Sequence, residues 1–284
     1  MFHIKEEYEA MYSASVQEKI DSILEDKFDA KVNRAHLIGW IRDFFSAFSN
    51  KKAVIGISGG KDSTICAALL ADALGADRVV GVMMPQGEQS DIADAKRVCD
   101  MYCGTSLTIP IGGMVDAIRA EVDSTTDQLP FLSPGINPVM TTNVPPRVRM
   151  TVLYAVAAMV DGLVCNTSNR SEIYLGYSTK WGDNIGDFGL LRDFTYTELL
   201  ELGKQCYIPS ELILKAPADG LTGRTDEDIF GFTYFDLDNL ILNGVVPDAD
   251  TMAAIKSMER RNRHKYTTIS HPSPIRNSRG EEWF

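Results

Sequence analysis

No apolar stretch in this sequence approaches the ~18 residues that a bilayer-spanning helix needs, so no transmembrane segment is expected. The first residues, Met1-Phe2-His3-Ile4-Lys5-Glu6-Glu7, place acids where a secretion signal carries its apolar core; the cytoplasm is the expected location. Cysteine is scarce, with only Cys66, Cys99, Cys103, Cys165 and Cys206. An odd count excludes a fully paired disulfide framework, and nothing completes a zinc ligand set around Cys99 and Cys103. All five are expected as reduced thiols, most of them packed as small apolar groups. Positive charge is short as well: 28 Lys and Arg stand against 39 Asp and Glu, a net charge of −11. Nucleic-acid binders usually carry a basic excess, so no tRNA or DNA partner is expected. Internal repeats and low-complexity segments are absent.

What is present is an ordinary globular composition, 44% hydrophobic and 24% charged over 284 residues, with ample core. Apolar spacing predicts helices over 15–28 and 34–48. Short apolar runs predict strands at 53–57, 79–84, 106–111 and 162–167, and helices over 62–74, 90–103, 113–121 and 147–160 alternate with them. The stretch 123–143, rich in Pro, Ser, Thr and Asn, reads as an irregular surface loop. Strand–helix alternation at this spacing means an α/β fold, a doubly wound parallel sheet flanked by helices. Ligands in such sheets bind beyond the carboxyl ends of the strands.

The most informative segment is Val54-Ile55-Gly56-Ile57-Ser58-Gly59-Gly60-Lys61-Asp62-Ser63-Thr64. An apolar strand enters a Ser-Gly-Gly turn and an apolar helix leaves it. Glycines let backbone N–H groups approach an anion, and the helix start adds its positive dipole end. Ser63 and Thr64 add hydroxyl donors, and Asp62 is placed to hold the Mg2+ that accompanies a nucleotide. The loop is not a Walker A sequence, which requires G-x-x-x-x-G-K-[ST]. It resembles the Ser-Gly-Gly-x-Asp-Ser loop of the ATP pyrophosphatases, whose Rossmann-like fold cleaves ATP between the α- and β-phosphates.

Four further segments narrow the resemblance. Asn143-Val144-Pro145-Pro146-Arg147-Val148-Arg149-Met150, Asn166-Thr167-Ser168-Asn169-Arg170-Ser171-Glu172, Gly176-Tyr177-Ser178-Thr179-Lys180-Trp181-Gly182-Asp183 and His264-Lys265 are similar, in order and spacing, to elements of NAD synthetases. The resemblance covers about residues 35–268 and implies one NAD synthetase domain over 1–284, with N-terminal helices over 1–50 and an extended tail over 269–284. It implies adenylylation of deamido-NAD by ATP, then amidation by ammonia, in a homodimer. It implies Mg2+ on Asp62 and Glu172, and catalytic roles for Asp62, Lys180 and Asp183, the last as general base. ATP contacts are implied at Gly56, Ile57, Ser58, Gly59, Gly60, Lys61, Ser63, Met84, Thr167, His264 and Lys265. Substrate contacts are implied at Asn143, Arg147, Tyr177, Trp181 and Asp187. Read without the resemblance, Glu172 is equally a helix first-turn acid, Asp183 a turn residue, Lys180 a solvated lysine, and Tyr177 with Trp181 a packing pair. Of Arg147 and Arg149, one is expected on substrate and the other in a fold-level ion pair.

The sequence also departs from that family. Tyr196 stands where many relatives have lysine, Ala218 where they have a hydroxyl residue, Met83 where some have arginine, and Asn184-Ile185 where many have a pair of glycines. A tRNA thiolase or GMP-synthetase-like amidase, an amide ligase acting on a different carboxylate, and a nucleotide-binding regulator are the rival readings. Only residues 1–52 precede the first expected strand, so no glutaminase domain is expected, and ammonia is expected either free or from a separate partner subunit.

Overall fold

A computed structural model of the protein describes residues 12–25, 27–48, 50–88, 91–128, 138–215 and 224–266. The expected extended tail over 269–284 and the Ala218 departure lie outside these residues. Two helices, α1 (Ala14–Leu24) and α2 (Ala30–Ser46), lead into β1 (Lys52–Gly56), α3 (Lys61–Leu74), β2 (Val79–Met83), α4 (Ile92–Tyr102) and β3 (Thr105–Thr108). Then come α5 (Gly112–Asp123), α6 (Pro138–Val160), β4 (Gly162–Asn166), α7 (Arg170–Leu175) and β5 (Phe188–Gly189). Five helices follow: α8 (Tyr196–Gln205), α9 (Ser210–Ile213), α10 (Asp226–Phe230), α11 (Tyr234–Asn243) and α12 (Ala249–Asn262). No helix among the described residues is long and apolar enough to cross a membrane.

The five strands form one parallel sheet in the order β3-β2-β1-β4-β5. Val54 of β1 lies opposite both Val80 and Val164, so the apolar centres of three strands are in register. Strand alternation sends Val54, Val80, Val82 and Val164 to one face, against Val148, Val152 and Val156 of α6. Ala53, Ile55, Val79 and Cys165 go to the other face, against α2, α3 and α8. α3 is apolar nearly all round because it is enclosed: Ile65, Cys66, Leu69 and Leu70 are fully buried.

Two expectations are corrected. The helix expected from 147 begins at Pro138, inside the stretch read as loop. Pro145 and Pro146 lie within it. Pro145 cannot donate to the Thr141 carbonyl, and Arg119 Nη2 takes that oxygen instead at 2.7 Å. The short strand β5 has no counterpart in the sequence pattern; two residues are too few to show a period.

Successive crossovers from β1 through β2 to β3 run one way, and β4 returns to the other side of β1. The chain thus has its topological switch point between the carboxyl ends of β1 and β4, where open α/β sheets leave a ligand crevice.

Candidate active site

A cavity of about 580 Å³ opens at that switch point. Its floor is the turn from β1 into α3. Ile57 N–H donates to Val82 O at 3.0 Å, carrying the strand one residue past Gly56. The turn is held internally: Gly60 N–H donates to Ser58 Oγ at 3.2 Å, and Thr64 Oγ1 donates to Gly60 O at 2.8 Å. Gly59, at φ +81°, lets the turn lie against the first turn of α4, where any Cβ would meet Ala95 N at 2.8 Å. No side chain caps the start of α3. Its first N–H groups, which no helix can satisfy internally, are therefore available to an anion.

Lys61, 4% exposed, and Asp62 follow the turn. Lys61 Nζ donates to Asp62 Oδ1 at 2.5 Å and stands 4.8 Å from the centre of the Tyr196 ring. Across the cavity, Asn169 caps α7 by accepting from Glu172 N–H at 3.0 Å, while Glu172 Oε2 accepts from Asn169 N–H at 3.1 Å. Glu172 is thus a first-turn capping acid and also part of the cavity wall. Burial, and then the charge of Asp62, push its carboxyl well above the usual range. A carboxyl raised by its neighbour's charge, beside that neighbour, fits a hard divalent cation that keeps several waters and takes phosphate oxygens as further ligands. Among the described residues no cluster of three or more His, Cys, Asp or Glu is present. Any metal here would depend on the nucleotide for the rest of its shell.

Asp183 faces the cavity from the loop after α7. Its Oδ1 accepts from Thr179 N–H at 2.6 Å. Solvent reaches it through the cavity mouth, yet the enclosing protein raises its carboxyl, with Thr179, Lys265 and Arg149 opposing the rise. Lys265 lines the cavity and donates to Gly176 O at 2.9 Å. Asn143 lines it and accepts from Thr179 Oγ1 at 2.8 Å. Tyr177 lines it too, with its hydroxyl on Asp226 Oδ1 at 3.2 Å and its ring edge-on to Phe230. Gly56, Ile57, Ser58, Gly60, Ser63, Met84 and Thr167 complete the expected residues on the wall.

Six expected residues are not on that wall. Gly59 lies behind it against α4. Lys180 Nζ donates to His264 O at 2.7 Å, and Trp181, 46% exposed, packs beside Lys180 rather than with Tyr177. His264 turns its ring to Arg261 O. Asp187 accepts from Val164 N–H at 2.7 Å, tying its loop to β4. Arg147 is exposed and donates to Lys180 O at 3.2 Å. It is Arg149, two residues on, that enters the cavity wall, with Nε donating to Met84 O at 3.4 Å. Two acids on the wall carry no sequence signal of their own. Asp226 is nearly buried and accepts from Tyr234 as well as Tyr177; Asp91 sits beside Lys215, which is paired with Asp94 at 2.7 Å. The cavity thus joins an anion cradle, a pair of metal-competent carboxylates and a third carboxylate beside two cations.

The profile of the NAD synthase family matches residues 33–271. An NH3-dependent NAD+ synthetase of Pyrococcus furiosus is 36% identical over 212 residues, 74% of this chain and 79% of that protein. One from Thermococcus kodakarensis is 41% identical over 191 residues, 66% of this chain and 70% of that one. Among solved structures, the NMN synthetase of Francisella tularensis superposes with a TM-score of 0.78 at 31% identity, covering 86% of this chain and 99% of that one. The cradle, the paired carboxylates and the matched length agree, and the chain belongs to the NAD synthase family, ligases that form a carbon–nitrogen bond.

Proposed function

We propose that this chain makes NAD+ from deamido-NAD, ATP and ammonia, working in the cytoplasm. The observation that carries this reading is the meeting of the Ser58–Ser63 turn, Asp62, Glu172 and Asp183 around one cavity at the switch point. The turn and the start of α3 hold the β- and γ-phosphates. Asp62 and Glu172 would hold Mg2+, which neutralises phosphate charge as pyrophosphate departs. The deamido-NAD carboxylate attacks the α-phosphorus; the bond to the bridging oxygen breaks, and an acyl adenylate and pyrophosphate result. Ammonia then attacks the acyl carbon, AMP leaves, and one proton must be taken from the nitrogen. Asp183, raised but still hydrogen-bonded to Thr179, is placed to take it. Arg149 and Lys265 face the same space and suit the charge on the adenylate phosphate. Lys180 and Arg147 work at the rim: Lys180 anchors the His264 carbonyl, which keeps Lys265 over the site.

An apolar stripe suits a homodimer: Met114, Ile118 and Val122 are exposed at successive turns of α5.

A second reading follows from the similarity to the Francisella tularensis NMN synthetase: the carboxylate belongs to the mononucleotide, with the same ligase steps. One assay tests both. Purified chain receives ATP, Mg2+ and ammonium chloride with either deamido-NAD or nicotinic acid mononucleotide, and with glutamine as a parallel nitrogen donor. NAD+ formed with ammonium, at a kcat/KM above that for the mononucleotide, is the expected result. A reversed ratio selects the second reading, and amidation of neither would overturn both.

A further inference from the structure

Lys61 is an unusual lysine. Its side chain is 3% exposed, yet it lines the cavity rather than the core. The residue opens α3 at the point where uncapped N–H groups face the expected phosphates. Its ammonium is held from two sides, by Asp62 Oδ1 at 2.5 Å and by the face of Tyr196 at 4.8 Å. Asp62 is one of the two carboxylates assigned to the metal, and Glu172, the other, lines the same cavity. A divalent cation and an ammonium cannot both sit against one carboxylate oxygen without repelling each other. The ammonium is a compact charge on a flexible four-carbon stem, so it can leave Asp62 while its root stays fixed. The Tyr196 ring gives it an apolar rest that still favours a cation.

We propose that Lys61 is a resident counter-ion for the metal site: it neutralises Asp62 while the site is empty, and passes to the pyrophosphate group when a divalent cation takes Asp62. The proposal rests on the metal assignment above but not on the identity of the carboxylate substrate. It makes cation and phosphate binding mutually dependent. Metal alone must displace the ammonium, whereas metal with phosphate gives that ammonium a new partner. Bare divalent cations therefore bind weakly, and nucleotide or pyrophosphate strengthens them.

Lys61→Met, which keeps the buried stem and removes the charge, tests this with Mn2+ as the probe. Mn2+ binding is read by electron paramagnetic resonance without nucleotide, and pyrophosphate binding by calorimetry at saturating Mn2+. Loss of one charge-assisted partner predicts Mn2+ affinity raised about tenfold in the nucleotide-free protein and pyrophosphate affinity lowered about tenfold. Lys61→Gln is the second variant should the Met variant fold poorly, and Lys61→Arg should retain the wild-type ordering of both affinities. Unchanged or weaker Mn2+ binding in the Met and Gln variants overturns the counter-ion role. Unchanged pyrophosphate affinity overturns the transfer. Neither readout uses deamido-NAD, so failure of the proposed reaction leaves this test intact.

Discussion

Replacing Gly59 by alanine should uncouple the phosphate turn from α4. Gly59 has φ +81°, and a Cβ there would lie 2.8 Å from Ala95 N, 3.0 Å from Asp91 O and 3.0 Å from Asp94 Cβ. The first two are backbone atoms of the α4 entry, so no rotamer change relieves them. The left-handed conformation costs an L-residue about 1–2 kcal/mol, and forcing an atom into a packed contact about 1–3 kcal/mol more. A total of about 2–5 kcal/mol corresponds to a Tm loss of roughly 4–10 °C in a chain of this size. Gly244→Ala is the control. Its φ is +68° but nothing lies within 4 Å of the new Cβ, so only the conformational cost applies, about 1–2 kcal/mol. Thermal unfolding of both variants, with calorimetric titration of ATP, separates the two contributions. Gly59→Ala should lose more stability and bind ATP more weakly; Gly244→Ala should bind ATP as the wild type does. Equal Tm losses, or normal ATP affinity in Gly59→Ala, would refute the idea that close approach to α4 sets the turn.

Asp183→Asn should slow amide formation more than pyrophosphate release; equal losses in the two half-reactions would remove its role as base. Asp62→Ala should abolish adenylylation and also lower stability, because it leaves the buried Lys61 ammonium without its carboxylate partner. Glu172→Ala should abolish it and also cost about 1 kcal/mol, because the capping box with Asn169 goes with it; near-normal turnover in either variant counts against the metal assignment. Arg149→Met should lower kcat/KM more than Arg147→Met, since only Arg149 lines the cavity; the opposite order in steady-state kinetics would place the working guanidinium outside it. Asp238 is fully buried and takes hydrogen bonds from Ser171 and Thr197, and burial raises its carboxyl from 3.8 to about 6. Its contribution to stability is complete below pH ~4 and falls by roughly 3 kcal/mol as pH rises through 6, because the folded state must then bury the charge. Asp238→Asn should flatten that slope in urea midpoints measured from pH 4 to 7, and an unchanged slope would assign it to other groups.

The most local features were the most legible in the sequence. Strand, Ser-Gly-Gly turn and helix are adjacent in the chain, so Ser58 to Ser63 reads directly as an anion cradle, and the apolar runs of β1, β2 and β4 are continuous rather than alternating because both faces of a parallel sheet are covered. That Asp62 and Glu172 line one cavity follows from the same locality, each standing within a few residues of a strand end. The partners of the arginines were not. Arg147 and Arg149 are two residues apart, and which one turns inward depends on the phase of α6, which starts nine residues earlier than the pattern shows and is set by Val148, Val152 and Val156 against the sheet. Asp187 reads as a substrate contact in one dimension and ties down β4 in three. Nor does the sequence reveal that Tyr196, 135 positions after Lys61, lies beneath its ammonium. Local backbone chemistry is written in neighbouring residues; the direction of a side chain in a crevice is decided by what packs behind it, and those contacts come from elements far along the chain.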